Sequence, residues 1–160
     1  MAATSMPEIS SVYSRIKADY RNTRFVEGSG FKWSIATRTI THPPLKTLDD
    51  LRQLLHELSH AELNHAAYTR DIELIDMERQ AWRYAVDALA SRYNVPLSID
   101  DTIVQGTLDS YRQWLHERST CPNCQAVGRE TTTSHYLCLS CNQTWRVNEA
   151  KTCRLKRSKT

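Results

Sequence analysis

The stretch Leu55-His56-Glu57-Leu58-Ser59-His60 decides how the rest of this 160-residue chain is read. It lies in a segment running from Leu48 to about Asn64, whose Leu48, Leu51, Leu55 and Leu58 recur at the spacing of a helical apolar stripe. Thr47 is placed to cap that helix, and Asp49 and Asp50 fall in its first turn, where carboxylates meet the positive end of the helix dipole. Four residues of helix rotate about 400°, so His56 and His60 lie nearly above one another. Two imidazoles so placed can bind one Zn²⁺ from the same side, with Glu57 beside the metal to take a proton from bound water. Zinc lowers the pKa of that water to about 7, which makes hydroxide available at neutral pH. Six His and nine Glu in a chain of this length would produce HExxH by chance only about 0.01 times.

A hydrolytic zinc needs a third protein ligand and an open position. The remaining histidines are His42, His65, His116 and His135. His65 is rotated about 140° from His60 on a continuous helix, so it would ligate only if the helix ends before it. A capping or supporting role suits it better. The following segment, with Thr69 as its cap, reads as a helix carrying Asp71, Glu73, Asp76 and Glu78. Glu78 shares a face with Ala81 and Ala85, two small residues that permit close helix approach, and Trp82 borders that face as a wall. Glu78 is therefore the preferred third ligand and Asp71, two turns earlier on the same face, the reserve. Glu73 and Asp76 read as solvated helix charges.

The run His56-Glu57-Leu58-Ser59-His60-Ala61-Glu62-Leu63-Asn64-His65, followed by Glu78-Arg79-Gln80-Ala81-Trp82-Arg83-Tyr84-Ala85, resembles the ImmA/IrrE metallopeptidases over about residues 30–90. That resemblance implies His56, His60 and Glu78 as zinc ligands and Glu57 as general base. It implies an α+β, gluzincin-like helical body in which Phe31–Thr41 supplies a short β-sheet beside the HExxH helix. It also implies a selective, regulatory protein as substrate. Gln80 stands where the family often has a second Glu, and the spacing from His60 to Glu78 is short for it.

Outward from this centre, residues 8–20 read as a helix, with Ile9, Val12, Tyr13, Ile16 and Tyr20 at helical spacing. Glu27-Gly28-Ser29-Gly30 offers a turn, and residues 31–41 read as two short strands or one bent one. The helix bearing Glu78 should end before Asn94-Val95-Pro96, and a further helix should run from Ser98 to Leu115. Tyr68 and Tyr84 are possible stabilisers of a developing oxyanion, or simply packed rings.

Beyond residue 117 the character changes. Residues 1–117 carry 13 Lys/Arg and 16 Asp/Glu, whereas 118–160 carry 8 and 2, and all five cysteines lie there. Cys121-Pro122-Asn123-Cys124 and Cys138-Leu139-Ser140-Cys141 are two CxxC knuckles, the spacing of a closed Cys₄ structural zinc in a zinc ribbon. Gly128 is expected to turn the chain between them, with Thr131–Thr133 in a strand and Tyr136 packed on Trp145. Cys153 belongs to no pair. The end, from Lys151 on, is basic and suits phosphate or acidic partners, or else is a solvated tail. The expected organisation is 1–117 as a metallopeptidase-like domain, 118–148 as a zinc ribbon and 149–160 as a basic tail.

No apolar run approaches the roughly 18 residues of a membrane span, and MAATSMPEIS lacks the basic start and apolar core of a secretory signal. The expectation is a cytoplasmic zinc metalloendopeptidase with one catalytic and one structural zinc and a protein substrate. Two alternatives remain. One is a SprT-like protease acting on DNA-bound protein, which the zinc module and basic end resemble. The other is a non-catalytic, zinc-dependent nucleic-acid-binding or regulatory protein.

Overall fold

A computed structural model describes residues 8–148 and 155–160. The fold is α+β: helices α1 (Ile9–Asp19), α2 (Leu48–Glu62), α3 (Asp71–Tyr84), α4 (Ala90–Tyr93) and α5 (Thr102–Ser119), with two small sheets. Contacts divide the chain into two compact units, Met1–Ala66 with Arg79–Gln105, and Ala67–Glu78 with Gly106–Thr160. The division passes through α3, which is one continuous helix.

In the first unit, strands β1 (Arg24–Glu27), β2 (Lys32–Ser34) and β3 (Thr39–His42) form a sheet of order β1-β3-β2. Strands β2 and β3 are the two short strands expected within residues 31–41. β1 was not legible, because it is short and mostly exposed; it pairs in parallel with β3, Phe25 against Ile40, and Phe25 also packs edge-on against Tyr13 at 5.9 Å. Ile40 enters a core with Val12 and Ile16 of α1 and Leu51, Leu54, Leu55 and Leu58 of α2. Each fully buried leucine side chain contributes roughly 1.5–3 kcal/mol of hydrophobic stabilisation. His42 is buried there as a structural residue. Its Nδ1–H donates to the carbonyl of Pro43 (2.7 Å), which leaves Nε2 to accept from the Tyr13 hydroxyl (2.8 Å).

α2 starts where expected. Thr47 Oγ1 accepts from the Asp50 backbone N–H at 3.1 Å, and the Asp50 carboxylate accepts from the Thr47 N–H at 2.8 Å, a reciprocal cap. α3 passes into a π-helical turn, Ala85–Leu89, before α4. The sequence explains this turn. Ala81, Ala85, Leu89 and Tyr93 are all fully buried at four-residue intervals. Such a row drifts about 40° per step around an α-helix. A wider π turn reverses the drift and keeps the row on the core.

The second unit contains the antiparallel sheet β4 (Gly128–Thr132), β5 (His135–Cys138), β6 (Thr144–Val147) and β7 (Arg157–Lys159), in that order. Tyr136 and Trp145 stack at 5.5 Å with an interplanar angle of 14°, as expected. Gly128 does not make the turn. It opens β4, where a Cβ would stand 2.3 Å from the Trp145 ring and 2.9 Å from the Leu137 carbonyl oxygen. The turn is made at Ser134, with φ of 62°. The basic end is not a free tail throughout: β7 pairs with β6, Lys159 opposite Trp145, and Arg157 donates to the Thr120 carbonyl at 2.7 Å. Cys153 lies outside the described residues.

Two candidate metal sites

The ε nitrogens of His56 and His60 stand 3.2 Å apart, with ring centroids at 4.6 Å and planes at 82°. Two nitrogens bound to one zinc at about 2.0–2.1 Å with tetrahedral angles lie about 3.3–3.4 Å apart, so the pair is already spaced for an ion. Three packing features hold it. Trp82, fully buried, stacks on His56 at 4.2 Å and 20°. Ser59, between the two histidines, donates to the Leu55 carbonyl at 2.8 Å. The third is the helix end.

α2 stops at Glu62, and Asn64 adopts the left-handed conformation (φ 51°). The His65 N–H reaches the His60 carbonyl (2.9 Å) and the Asn64 N–H that of Ala61 (3.2 Å), the two bonds of a Schellman cap. This turn brings His65 Nδ1 within 2.8 Å of His60 Nδ1. A metal on His60 Nε2 would leave its Nδ1–H to donate to His65, a contact that would hold the His60 ring in place. The helix does end before His65, and the backbone reversal is what brings its ring to that of His60.

Glu78 completes the group. One ligand atom each from His56, His60 and Glu78 all lie within 4.8 Å of one another, and all three residues are buried. Glu57, adjacent to His56 on α2, is 9% exposed. The donor set, two imidazoles and a carboxylate, is one that zinc accepts.

The other acids of α3 are elsewhere engaged. Asp71, the reserve ligand, is 3% exposed and forms a two-pronged ion pair with Arg118, Nε at 2.7 Å and Nη2 at 3.2 Å, while accepting from the Tyr136 hydroxyl. A buried carboxylate with that many donors is structural, and removing either partner would leave an uncompensated buried charge. Glu73 accepts from the N–H groups of Thr69 and Arg70, which hold its carboxyl below the ordinary range. Asp76 is exposed. Tyr84 packs on the first core, Tyr68 is half-buried, and His116 and His135 are exposed outside both groups.

The second group is Cys121, Cys124, Cys138 and Cys141, whose sulfur atoms also lie within 4.8 Å of one another. Sγ separations are 3.7 Å for Cys121–Cys141 and 3.5 Å for Cys124–Cys138. These are far from a disulfide bond of about 2.05 Å and close to the roughly 3.8 Å between thiolates on one tetrahedral zinc. The two knuckles repeat one geometry. Gln125 and Asn142 each follow the second cysteine with positive φ, 63° and 60°. Each directs its N–H to the carbonyl of the first cysteine at 3.0 Å. The N–H groups of Asn123 and Cys141 point at the sulfurs of Cys121 and Cys138. The backbone N–H of Gln143 and the side chain of Asn123 lower the Cys141 thiol, while the neighbouring Cys138 and Cys141 sulfurs raise that of Cys124.

Two contributors were not found from sequence: Arg118, which anchors Asp71, and Asn123, a side-chain donor to Cys141 (3.6 Å). Neither carries a periodic or motif signal, since each acts across a fold-dependent distance. Among the described residues no helix is long and apolar enough to cross a membrane. Comparison with protein-family models, curated proteins and solved structures finds no match to this chain.

Proposed function

We propose that the protein is a zinc-dependent metalloendopeptidase of the ImmA/IrrE-like, gluzincin kind, with a second, structural zinc on the four cysteines of a zinc ribbon. The observation that carries this reading is the convergence of His56, His60 and Glu78, with Glu57 next in the chain to His56. Zinc held by those three residues would supply a Lewis acid and acidify water to near neutrality. Glu57 takes the proton of the attacking water and returns it to the amine nitrogen of the departing fragment, so the peptide bond breaks as the new carboxyl forms. Trp82 keeps the His56 ring from rotating, and His65 keeps that of His60. β2, an edge strand beside α2, offers unpaired backbone groups along which an extended substrate can be aligned. Paired, unbridged cysteines fit a reducing, cytoplasmic setting.

The exposed cations Arg129, Arg146, Arg157 and Lys159 favour one second reading, a SprT-like peptidase acting on DNA-bound protein. DNA-stimulated cleavage would select it.

The test is Glu57→Gln. The variant should keep two zinc per chain by elemental analysis while losing at least 10²-fold in cleavage rate. Substrates are found by comparing new protein N-termini in cells expressing wild type or variant. Identical sets of N-termini would overturn the reading.

A further inference from the structure

Six large apolar side chains are well exposed among the described residues, and two of them, Ile72 (57% exposed) and Val127 (61%), line one groove of the second unit. The groove runs between the first turn of α3, the end of α5 at Leu115, and β4. Its cavity is about 260 Å³. That is below the roughly 300–1,000 Å³ of pockets that enclose a whole small molecule or cofactor, and suits a few side chains of a longer chain. β4 is the last strand of its sheet, so over Gly128–Thr132 one side of its backbone has no partner strand among the described residues. Two guanidinium groups flank the apolar floor, Arg70 and Arg129. Arg129 is exposed and makes no ion pair among the described residues, while Arg70 has Glu73 nearby. The acid that lines the groove, Glu130, is already committed: it accepts from the N–H groups of Asp71 (2.7 Å) and Ser134 (3.0 Å).

We infer that this groove docks an extended segment of a protein partner whose apolar side chains are flanked by carboxylates, added along β4. The open edge supplies backbone pairing, Ile72, Leu115 and Val127 receive alternate side chains, and the arginines select acidic flanks over basic ones. The binding stands independently of the peptidase reading. Its use, holding a substrate to the enzyme at high effective concentration, rests on that reading.

The test uses the full zinc-loaded chain and a displayed library of random twelve-residue peptides. Enriched sequences should alternate apolar residues and carry Asp or Glu at the flanks. A fluorescein-labelled peptide of the enriched sequence should bind wild type and bind Val127→Asp and Arg129→Glu at least tenfold more weakly. Both side chains are exposed, so the variants should keep the wild-type circular dichroism and melting temperature. A parallel Ile72→Ser variant, with no charge change, should also weaken binding. The His60→Ala variant should bind the peptide as wild type does, which separates docking from catalysis. Failure to enrich any sequence, enrichment of basic or purely apolar sequences, or equal binding by all three groove variants would overturn the proposal.

Discussion

The two candidate metal-ligand groups are assembled by different routes. The cysteines sit on two short knuckles whose backbones repeat each other: positive φ after the second cysteine, and an N–H from that residue back to the carbonyl of the first. Almost everything each knuckle needs lies within six residues of chain. The His56, His60 and Glu78 group instead depends on a helix that supplies two ligands, a second element that supplies the third, and rings that hold the first two in place. Four soft ligands make a closed site that stabilises. On the proposed reading, three harder ligands leave a position for chemistry. The difference teaches that a closed site can tolerate a thin scaffold because metal binding itself drives its folding. An open site needs a scaffold built before the metal arrives.

The sharpest way to break this comparison is to remove one thiolate. Structural zinc supplies roughly 10–16 kcal/mol in small modules, so Cys138→Ser should lose one zinc per chain and abolish amide protection across β5 and β6. Protection that survives would mean that Tyr136, Trp145 and the strands hold the sheet without metal. A smaller effect is expected at Trp82→Ala, about 3–5 kcal/mol by chemical denaturation, because a fully buried ring is deleted from against His56. Zinc affinity at the histidine site should fall as well. Unchanged affinity would show that the ring packs without orienting its ligand. The smallest effect is at His65→Ala, where loss of a supporting hydrogen bond should weaken zinc about 10–100-fold in a chelator competition. Unchanged affinity would reduce His65 to a helix-end residue.

What could be read from sequence in these regions follows the same division. The HExxH helix, its Thr47 cap, the two knuckles and the Tyr136–Trp145 stack were legible, because their signals lie in spacings of a few residues. The choice between Glu78 and Asp71 was not settled by periodicity, since both occupy one face of α3. The fold places Glu78 with the imidazoles, while Arg118 and Tyr136, 47 and 65 residues away in the chain, engage Asp71. β1 and β7 escaped notice because each is only three or four residues long and depends on the strand beside it. Gly128 reads as a turn residue, yet what it provides is the absence of a Cβ under a tryptophan ring.

By itself, the sequence determined which side chains have metal-binding chemistry and placed two of them one helical turn apart, because helix pitch is a local property. It also determined that four thiols come in two pairs. Only the tertiary structure decided which carboxylate joins the imidazoles, where α2 reverses so that His65 reaches back, and how the row from Ala81 to Tyr93 stays on one core through a π turn. Those outcomes depend on which surfaces close-pack, and packing is a property of residues brought together by the fold rather than of neighbours in the chain.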